Sequence, residues 1–270
     1  MDLGIKDKVA FVTGAGQGVG RRIALSLAAE GCKVAVNDYF EERARAVVQE
    51  IEHQGGKAFA AVADITVKSS IDAAIEAAVS HLGPIDILVN NAGVTIERRE
   101  KGGMAPLFLE TSPEDWKKII DLNIYGMLYC CHKILPLMKE RRWGRIVNIM
   151  SEAGRAGEAR LAVYSGAKAA MLGFAKAIAQ EHGQDCITVN TVALGAVSHE
   201  GIKKGALSPE ATPETEPRLA KMLKVYPVAR GLNRLSRPED IAPMVCLLAS
   251  EHAAYITGQS IGISGGFVML

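Results

Sequence analysis

The stretch "KVAFVTGAGQGVGRRIALSLAAEG" (residues 8–31) decides the fold. Residues 8–14 form an apolar, β-branched run of strand length. "GRRIALSLAAEG" (20–31) has the apolar spacing of an amphipathic helix, and Gly31 stops it. Between them lies "TGAGQGVG" (13–20), with glycines at 14, 18 and 20. Without side chains the loop can turn tightly, and its backbone N–H groups can approach a pyrophosphate at the helix N-terminus. Such a loop can also be a plain turn. Its place between a strand and a helix favours the phosphate reading.

Working outward, the same alternation continues. "KVAVND" (33–38), "KAFAAVAD" (57–64) and "IDILVNN" (85–91) read as strands, separated by helices over 41–54 and about 69–82. Gly55-Gly56 and Gly83-Pro84 supply the breaks. Further on, Ser112 and Pro113 have the chemistry of a helix cap and first position, with acids in the first turn, and a long helix is expected from there to about Arg141. "GRIVNIMS" (144–151) and "CITVNTVAL" (186–194) are a fifth and a sixth strand, flanking a long alanine-rich helix that opens at Tyr164. "RPEDIAPMVCLLAS" (237–250) is a last helix and "GQSIGISGG" (258–266) a last strand. Strands and helices in alternation with short breaks imply a parallel sheet with right-handed crossovers. Residues 199–235 carry scattered proline, glycine and charge over a length unusual for a connection, which marks a candidate substrate-binding lid.

Bulk composition excludes several classes. The 270 residues suffice for one sizeable core, and 49% hydrophobic with 23% charged residues is ordinary globular usage. A formal charge of +1 gives no nucleic-acid footprint. The five cysteines lack metal-binding spacing, and their scatter fits a reducing compartment. Cys130 and Cys131 fall in an apolar helical stretch, where packing is the expected role. The N-terminal residues lack a signal-peptide layout, and no apolar run reaches about 18 residues. No metal site, no membrane span and a cytoplasmic location are therefore expected.

Two further positions carry chemistry. Asp38 ends the second strand, 24 residues after Gly14. An acid there can bind the adenosine ribose hydroxyls of NAD and repel the extra phosphate of NADP; a solvated strand-end aspartate is the plain alternative. No Lys or Arg lies within "GAGQG" or directly after Asp38, though Arg43 is near, so NAD is favoured. "YSGAK" (164–168) then sets a tyrosine and a lysine four residues apart, on one face of a helix. This is either a solvated pair or a phenol being made into a base.

Taken together, "TGAGQGVG", Asp64 closing "AVAD", "NNAG" (90–93), Asn123 in "LNIYG", Ser151, "YSGAK", "RPEDIA" and "ITGQSIGISGG" resemble the short-chain dehydrogenase/reductase family over nearly the full length. The resemblance implies a single domain over residues 1–270, with a Rossmann-type doubly wound parallel sheet of about seven strands and helices on both faces. It implies an NAD-dependent enzyme that interconverts a secondary alcohol and a ketone. The implied catalytic set is Asn123, Ser151, Tyr164 and Lys168. A free phenol has a pKa of about 10, too high for an efficient base at neutral pH, and the Lys168 ammonium together with the nicotinamide would lower it. Ser151 would hold the substrate oxygen, Lys168 would reach the nicotinamide ribose, and Asn123 would anchor a water leading protons outward. The implied cofactor residues are Gly14, Gln17, Gly18, Val19, Gly20, Asp38, Asp64, Ile65, Asn91, Ala92, Gly93, Tyr164, Lys168, Gly195 and Val197. A plain strand-end role for Asp64 stays open. The family also suggests a homotetramer, with the helices over about 113–141 and 164–182 packing between subunits.

The sequence departs from the family in two places. After the sixth strand, Leu194-Gly195 replaces a Pro-Gly pair, and His199 stands where a threonine would contact the nicotinamide carboxamide, so an altered grip on that group is expected. The segment 93–111 is long and basic. Arg98, Arg155 and Arg160, with His199, are the candidate substrate residues, and Lys203 and Lys204 open the lid. Basic groups at the pocket mouth would suit a carboxylate, a phosphate or a coenzyme-A thioester on an alicyclic or acyl substrate. Solvated surface charges are the alternative. Two rival functions are an NADPH-dependent ketoreductase of the 3-oxoacyl type and a dinucleotide-binding sensor without turnover.

Overall fold

The structure is a computed structural model, and it describes residues 2–93 and 105–269. Seven parallel strands form one sheet in the order β3-β2-β1-β4-β5-β6-β7. They are β1 (Val9–Val12), β2 (Lys33–Asp38), β3 (Lys57–Val62), β4 (Ile87–Asn90), β5 (Gly144–Ser151), β6 (Ile187–Leu194) and β7 (Ser260–Ile263). The order reverses between β1 and β4, which opens a crevice at the carboxyl ends of the strands, where ligands bind in open α/β sheets.

Both faces of the sheet are covered, so alternate residues of each strand enter different cores. Ala10 and Val12 pack with α1 (Gly18–Ala29), α2 (Glu41–His53) and α10 (Pro238–Leu248). Val9 and Phe11 pack with α3 (Lys68–Leu82), α5 (Gly126–Arg141) and α7 (Ala162–His182) on the other face. This explains the unbroken apolar runs of the strands, since neither face is left to water. Cys130 and Cys131 lie in the second core, where burial pushes the Cys131 thiol up to about 12 and the Cys130 thiol up as well.

Boundaries shift by a few residues from expectation. The first strand is Val9–Val12 rather than 8–14, the third stops at Val62, and the last is Ser260–Ile263. The glycine-bearing flanks of the first and last strands leave the sheet to make turns.

The helix expected from 113 to 141 is corrected more deeply. It begins as α4 (Pro113–Ile120), where Ser112 Oγ accepts from the Asp115 N–H at 3.3 Å and the Asp115 carboxylate accepts from Ser112 N–H at 3.0 Å. It then passes through one widened i→i+5 turn, Asp121–Tyr125, before continuing as α5. Asn123 sits in that turn.

The segment 199–235 has its own helices, α8 (Pro217–Val225) and α9 (Pro227–Leu232). Ala206, Leu219, Leu223, Ala229 and Leu235 form a small apolar cluster apart from the two main cores. The remaining helix, α6 (Ala153–Ala156), follows β5 directly. Among the described residues, no helix is long and apolar enough to cross a membrane.

Candidate active site

The glycine loop is built for close approach. Gly14 and Gly18 hold positive φ of 59° and 56°, and a Cβ at Gly20 would overlap the Gly14 carbonyl oxygen and Asn91 Nδ2. Asn91 ties this loop to the end of β4, donating from Nδ2 to the carbonyls of Thr13 (2.9 Å) and Gly14 (3.1 Å). Thr13 Oγ1 in turn accepts the N–H groups of Asn91 (2.9 Å) and Ala92 (3.1 Å). Thr13 escaped the sequence reading because its partners lie 78 and 79 residues away.

Asp38 stands at the end of β2 with 7% exposure. Its Oδ2 accepts from Gly16 N–H and its Oδ1 from Phe40 N–H, both at 3.0 Å. Each oxygen keeps a further lone pair for a ribose hydroxyl. Val19 and Gly20 follow in the first turn of α1, whose N–H groups and dipole suit an anion. Gln17 precedes them and makes no side-chain cap. Asp64 takes its plain structural role as well: its Oδ1 accepts from Thr66 N–H (2.8 Å) and Thr66 Oγ1–H (2.7 Å), closing a turn. Ile65 is buried against Gly126.

The four candidate catalytic residues come from three elements. Ser151 ends β5, and its Oγ accepts from Ala153 N–H at 3.2 Å. Tyr164 and Lys168 lie on the first turns of α7, with Lys168 Nζ 5.8 Å from the Tyr164 ring centre. Lys168 is 3% exposed and donates to the Ile149 carbonyl at 3.0 Å. Burial pulls its pKa down to about 7. Asn123 donates to the Ile119 carbonyl at 2.9 Å, while its buried Oδ1 has no hydrogen-bond partner among the described residues. Lys168 Nζ and Asn123 Oδ1 converge on Gly93, where a Cβ would lie 2.5 and 2.8 Å from them. A side chain at this position would displace both groups. An unsatisfied buried amide oxygen beside an amine is a natural seat for a water.

Past β6, Gly195 is pressed between Tyr226 and Ser264, and Tyr226 Oη accepts from Ala196 N–H at 3.2 Å. Val197 pairs with Ser236, which anchors the far end of the lid segment. Tyr226 carried no local signal, since only the fold brings it to β6.

Among the described residues, the candidate basic groups are not brought together at one point. Arg155 is buried in an ion pair with Glu152 (3.2 Å) beside Gly262 of β7, while Lys203 lines the cleft at the glycine loop. β7 and β1 are four strands apart, roughly 19 Å. Arg160 donates to the Ala105 carbonyl at 2.7 Å. His199 lies against Gly18 of the glycine loop, where the chain after Ser198 folds over that loop. Arg98 lies outside the described residues. The fit to a dinucleotide is nonetheless good. The glycine cradle, the α1 N-terminus and the acid at the end of β2 line one crevice, and the unsatisfied Asn123 oxygen lies beside Lys168.

Comparison with known proteins agrees. A family model described as short chain dehydrogenase matches residues 8–207. The chain is 40% identical over 266 residues to a 3-oxoacyl-(acyl-carrier-protein) reductase of Synechocystis sp., covering 97% of each. It is 39% identical over 263 residues to the reductase of the same description from Staphylococcus aureus, covering 97% of this chain and 98% of that one. Among solved structures it resembles a 7α-hydroxysteroid dehydrogenase complexed with NADH and 7-oxo glycochenodeoxycholic acid. The TM-score is 0.86 at 33% identity, covering 100% of this chain and 97% of that one. A 3-oxoacyl-(acyl-carrier-protein) reductase from Brucella melitensis gives 0.87 at 28% identity, covering 100% and 95%. The chain belongs to the short-chain dehydrogenase/reductase family, and it is an oxidoreductase that acts on CH–OH groups with a nicotinamide dinucleotide.

Proposed function

We propose that the protein interconverts a 3-hydroxyacyl and a 3-oxoacyl thioester, with NAD as its cofactor. The reaction class is carried by Lys168, which reaches the Ile149 carbonyl near the end of β5 with the Tyr164 ring beside it and Asn123 Oδ1 meeting its amine at Gly93, while Ser151 closes the same strand. The acyl substrate is supported by the relatives described as 3-oxoacyl-(acyl-carrier-protein) reductases. NAD is supported by Asp38, whose carboxylate would face the 2′-phosphate of NADP with like charge, and by the NADH named for the hydroxysteroid dehydrogenase.

The bound nicotinamide supplies or takes up the hydride. Ser151 Oγ–H donates to the substrate oxygen and fixes it near Tyr164. In oxidation Tyr164 Oη takes the hydroxyl proton; in reduction it returns one to the carbonyl oxygen. Lys168, with a pKa near 7, passes that proton on, and a water at Asn123 Oδ1 connects it to solvent. Gly14, Gln17, Gly18, Val19 and Gly20 would hold the pyrophosphate, and Asn91, Ala92, Gly93, Gly195 and Val197 the nicotinamide half. The segment 199–235 acts as the lid of a single-domain enzyme. A homotetramer is supported by α4, none of whose residues is buried within one chain, although it carries Trp116, Ile119 and Ile120.

A second reading, an alicyclic alcohol, is favoured by the likeness to the hydroxysteroid dehydrogenase. Initial rates at 340 nm separate the two, using acetoacetyl-coenzyme A with NADH or NADPH, and alicyclic alcohols with NAD⁺ or NADP⁺. A clear preference for the thioester with NADH is expected. Preference for alicyclic alcohols would move the assignment to the second reading. Tyr164→Phe should retain NADH binding and lose turnover by about 10²–10⁴-fold. Retained turnover would remove Tyr164 from the mechanism.

A further inference from the structure

We infer that Glu200 is a built-in competitor for the pyrophosphate seat, a latch holding the start of the lid on the glycine loop. The inference rests on the dinucleotide reading of that loop. Gln17, at the N-cap of α1, makes no side-chain cap, so the first N–H groups of the helix look elsewhere for an acceptor. One finds it 182 residues along the chain: Gly18 N–H donates to Glu200 Oε1 at 3.0 Å. A carboxylate at a helix N-terminus and a phosphate there exploit the same donors and the same dipole.

The neighbours of Glu200 reinforce the contact. Arg21 Nη1 lies 3.8 Å from Glu200 Oε1 while the same guanidinium holds Glu50. Gly201 N–H donates to His199 Nδ1 at 3.1 Å, folding residues 199–201 into a tight unit. That unit lies directly on the loop, since a Cβ at Gly18 would come within 2.6 Å of His199 Nδ1 and one at Gly201 within 2.9 Å of Gln17 Oε1. Beside it opens a cleft of about 610 Å³ lined by Gly16, Gln17, Arg21, Arg43, Glu200 and Lys203. Three of these are cations and one is the latch carboxylate, so an incoming pyrophosphate exchanges one anion for another on ready-made partners. Burial works against the charge of Glu200, but the Gly18 N–H bond, its own backbone, His199 and Arg21 outweigh it and hold the carboxyl below its usual range.

Pyrophosphate and Glu200 cannot both accept from Gly18 N–H. Cofactor binding therefore releases the start of the lid, and dissociation lets it close again. Apparent affinity falls by the fraction of molecules unlatched, so a nine-tenths latched population weakens binding about tenfold.

The test is titration of wild type, Glu200→Ala and Glu200→Gln with NADH by fluorescence, with inorganic pyrophosphate as a competitor and adenosine as a phosphate-free control. Glu200 is about half exposed, so the variants should fold. Glu200→Ala is expected to bind NADH and pyrophosphate about three- to tenfold more tightly, with Glu200→Gln between it and wild type and adenosine unaffected. Unchanged or weaker NADH binding by Glu200→Ala overturns the latch alone. A uniform gain that includes adenosine also overturns it. Failure of all three proteins to bind NADH overturns the dinucleotide reading itself, and the latch with it.

Discussion

Lys168→Met is expected to destroy activity and stabilise the fold. The lysine is 3% exposed, its amine has the Ile149 carbonyl as acceptor, and burial lowers its pKa from 10.5 to about 7. That fall corresponds to a penalty of roughly 5 kcal/mol on the charged form. Methionine keeps most of the volume and abolishes the charge. It forfeits one hydrogen bond worth about 1 kcal/mol and leaves imperfect packing, so a net gain of about 2–4 kcal/mol at pH 6 is reasonable. For a chain of this length the melting temperature should rise by about 5–10 °C.

The pH dependence gives the sharper check. The folded pKa lies below the unfolded one. Below pH 7 both states are protonated, and the wild type bears the whole cost. Between pH 7 and about 10 the unfolded chain binds a proton that the folded chain does not, so wild-type stability rises with pH. The advantage of the variant should thus be widest below pH 7 and close towards pH 10, as measured by urea melts at pH 6, 7.5 and 9. An advantage that is absent, or independent of pH, would refute the claim that the site stores an unfavourable charge.

Two further outcomes follow from the cofactor crevice. Gly20→Ala sets a methyl against the Gly14 carbonyl and Asn91 Nδ2, neither of which can retreat without breaking the loop. A loss of about 2–3 kcal/mol in urea melts, with much weaker NADH binding, is expected; a stable variant with normal affinity would show that the loop can yield. Asp38→Ala leaves Gly16 N–H and Phe40 N–H without their acceptor and removes the charge proposed to face the ribose. The ratio of kcat/KM for NADH over NADPH should fall at least about tenfold, about 1.4 kcal/mol, and an unchanged ratio would take cofactor choice away from Asp38.

Local signals carried much of the architecture. Strands covered on both faces read as continuous apolar runs, and "TGAGQGVG" and "YSGAK" state their spacing outright. The capping box at Ser112 and Asp115 was likewise visible, in residue types three apart. The missed features depend on contacts distant in sequence. Glu200 meets Gly18 from 182 residues away, and Tyr226 reaches Ala196 from 30. Arg155 reads as a pocket cation in the sequence because what buries its pair with Glu152 is β7, whose Gly262 lies more than a hundred residues further along the chain. The widened turn at 121–125 was silent for another reason: "DLNIY" has ordinary helical composition, and the helix resumes normally afterwards.

That turn writes part of the site as an extra residue, and not as a residue type. Each residue of an α-helix advances about 100° around its axis. In the widened turn five residues make the advance that four make in an α-helix, so deleting one position within Asp121–Tyr125 would close the hydrogen-bond ladder as an unbroken helix with α4 and α5 still in register, and would shift Asn123 from its place beside Lys168. A one-residue deletion would therefore cost the site more than most substitutions there, while the helix itself became more regular. In a lineage of such chains, alignments through this stretch should tolerate exchanges of side chain far better than changes of length.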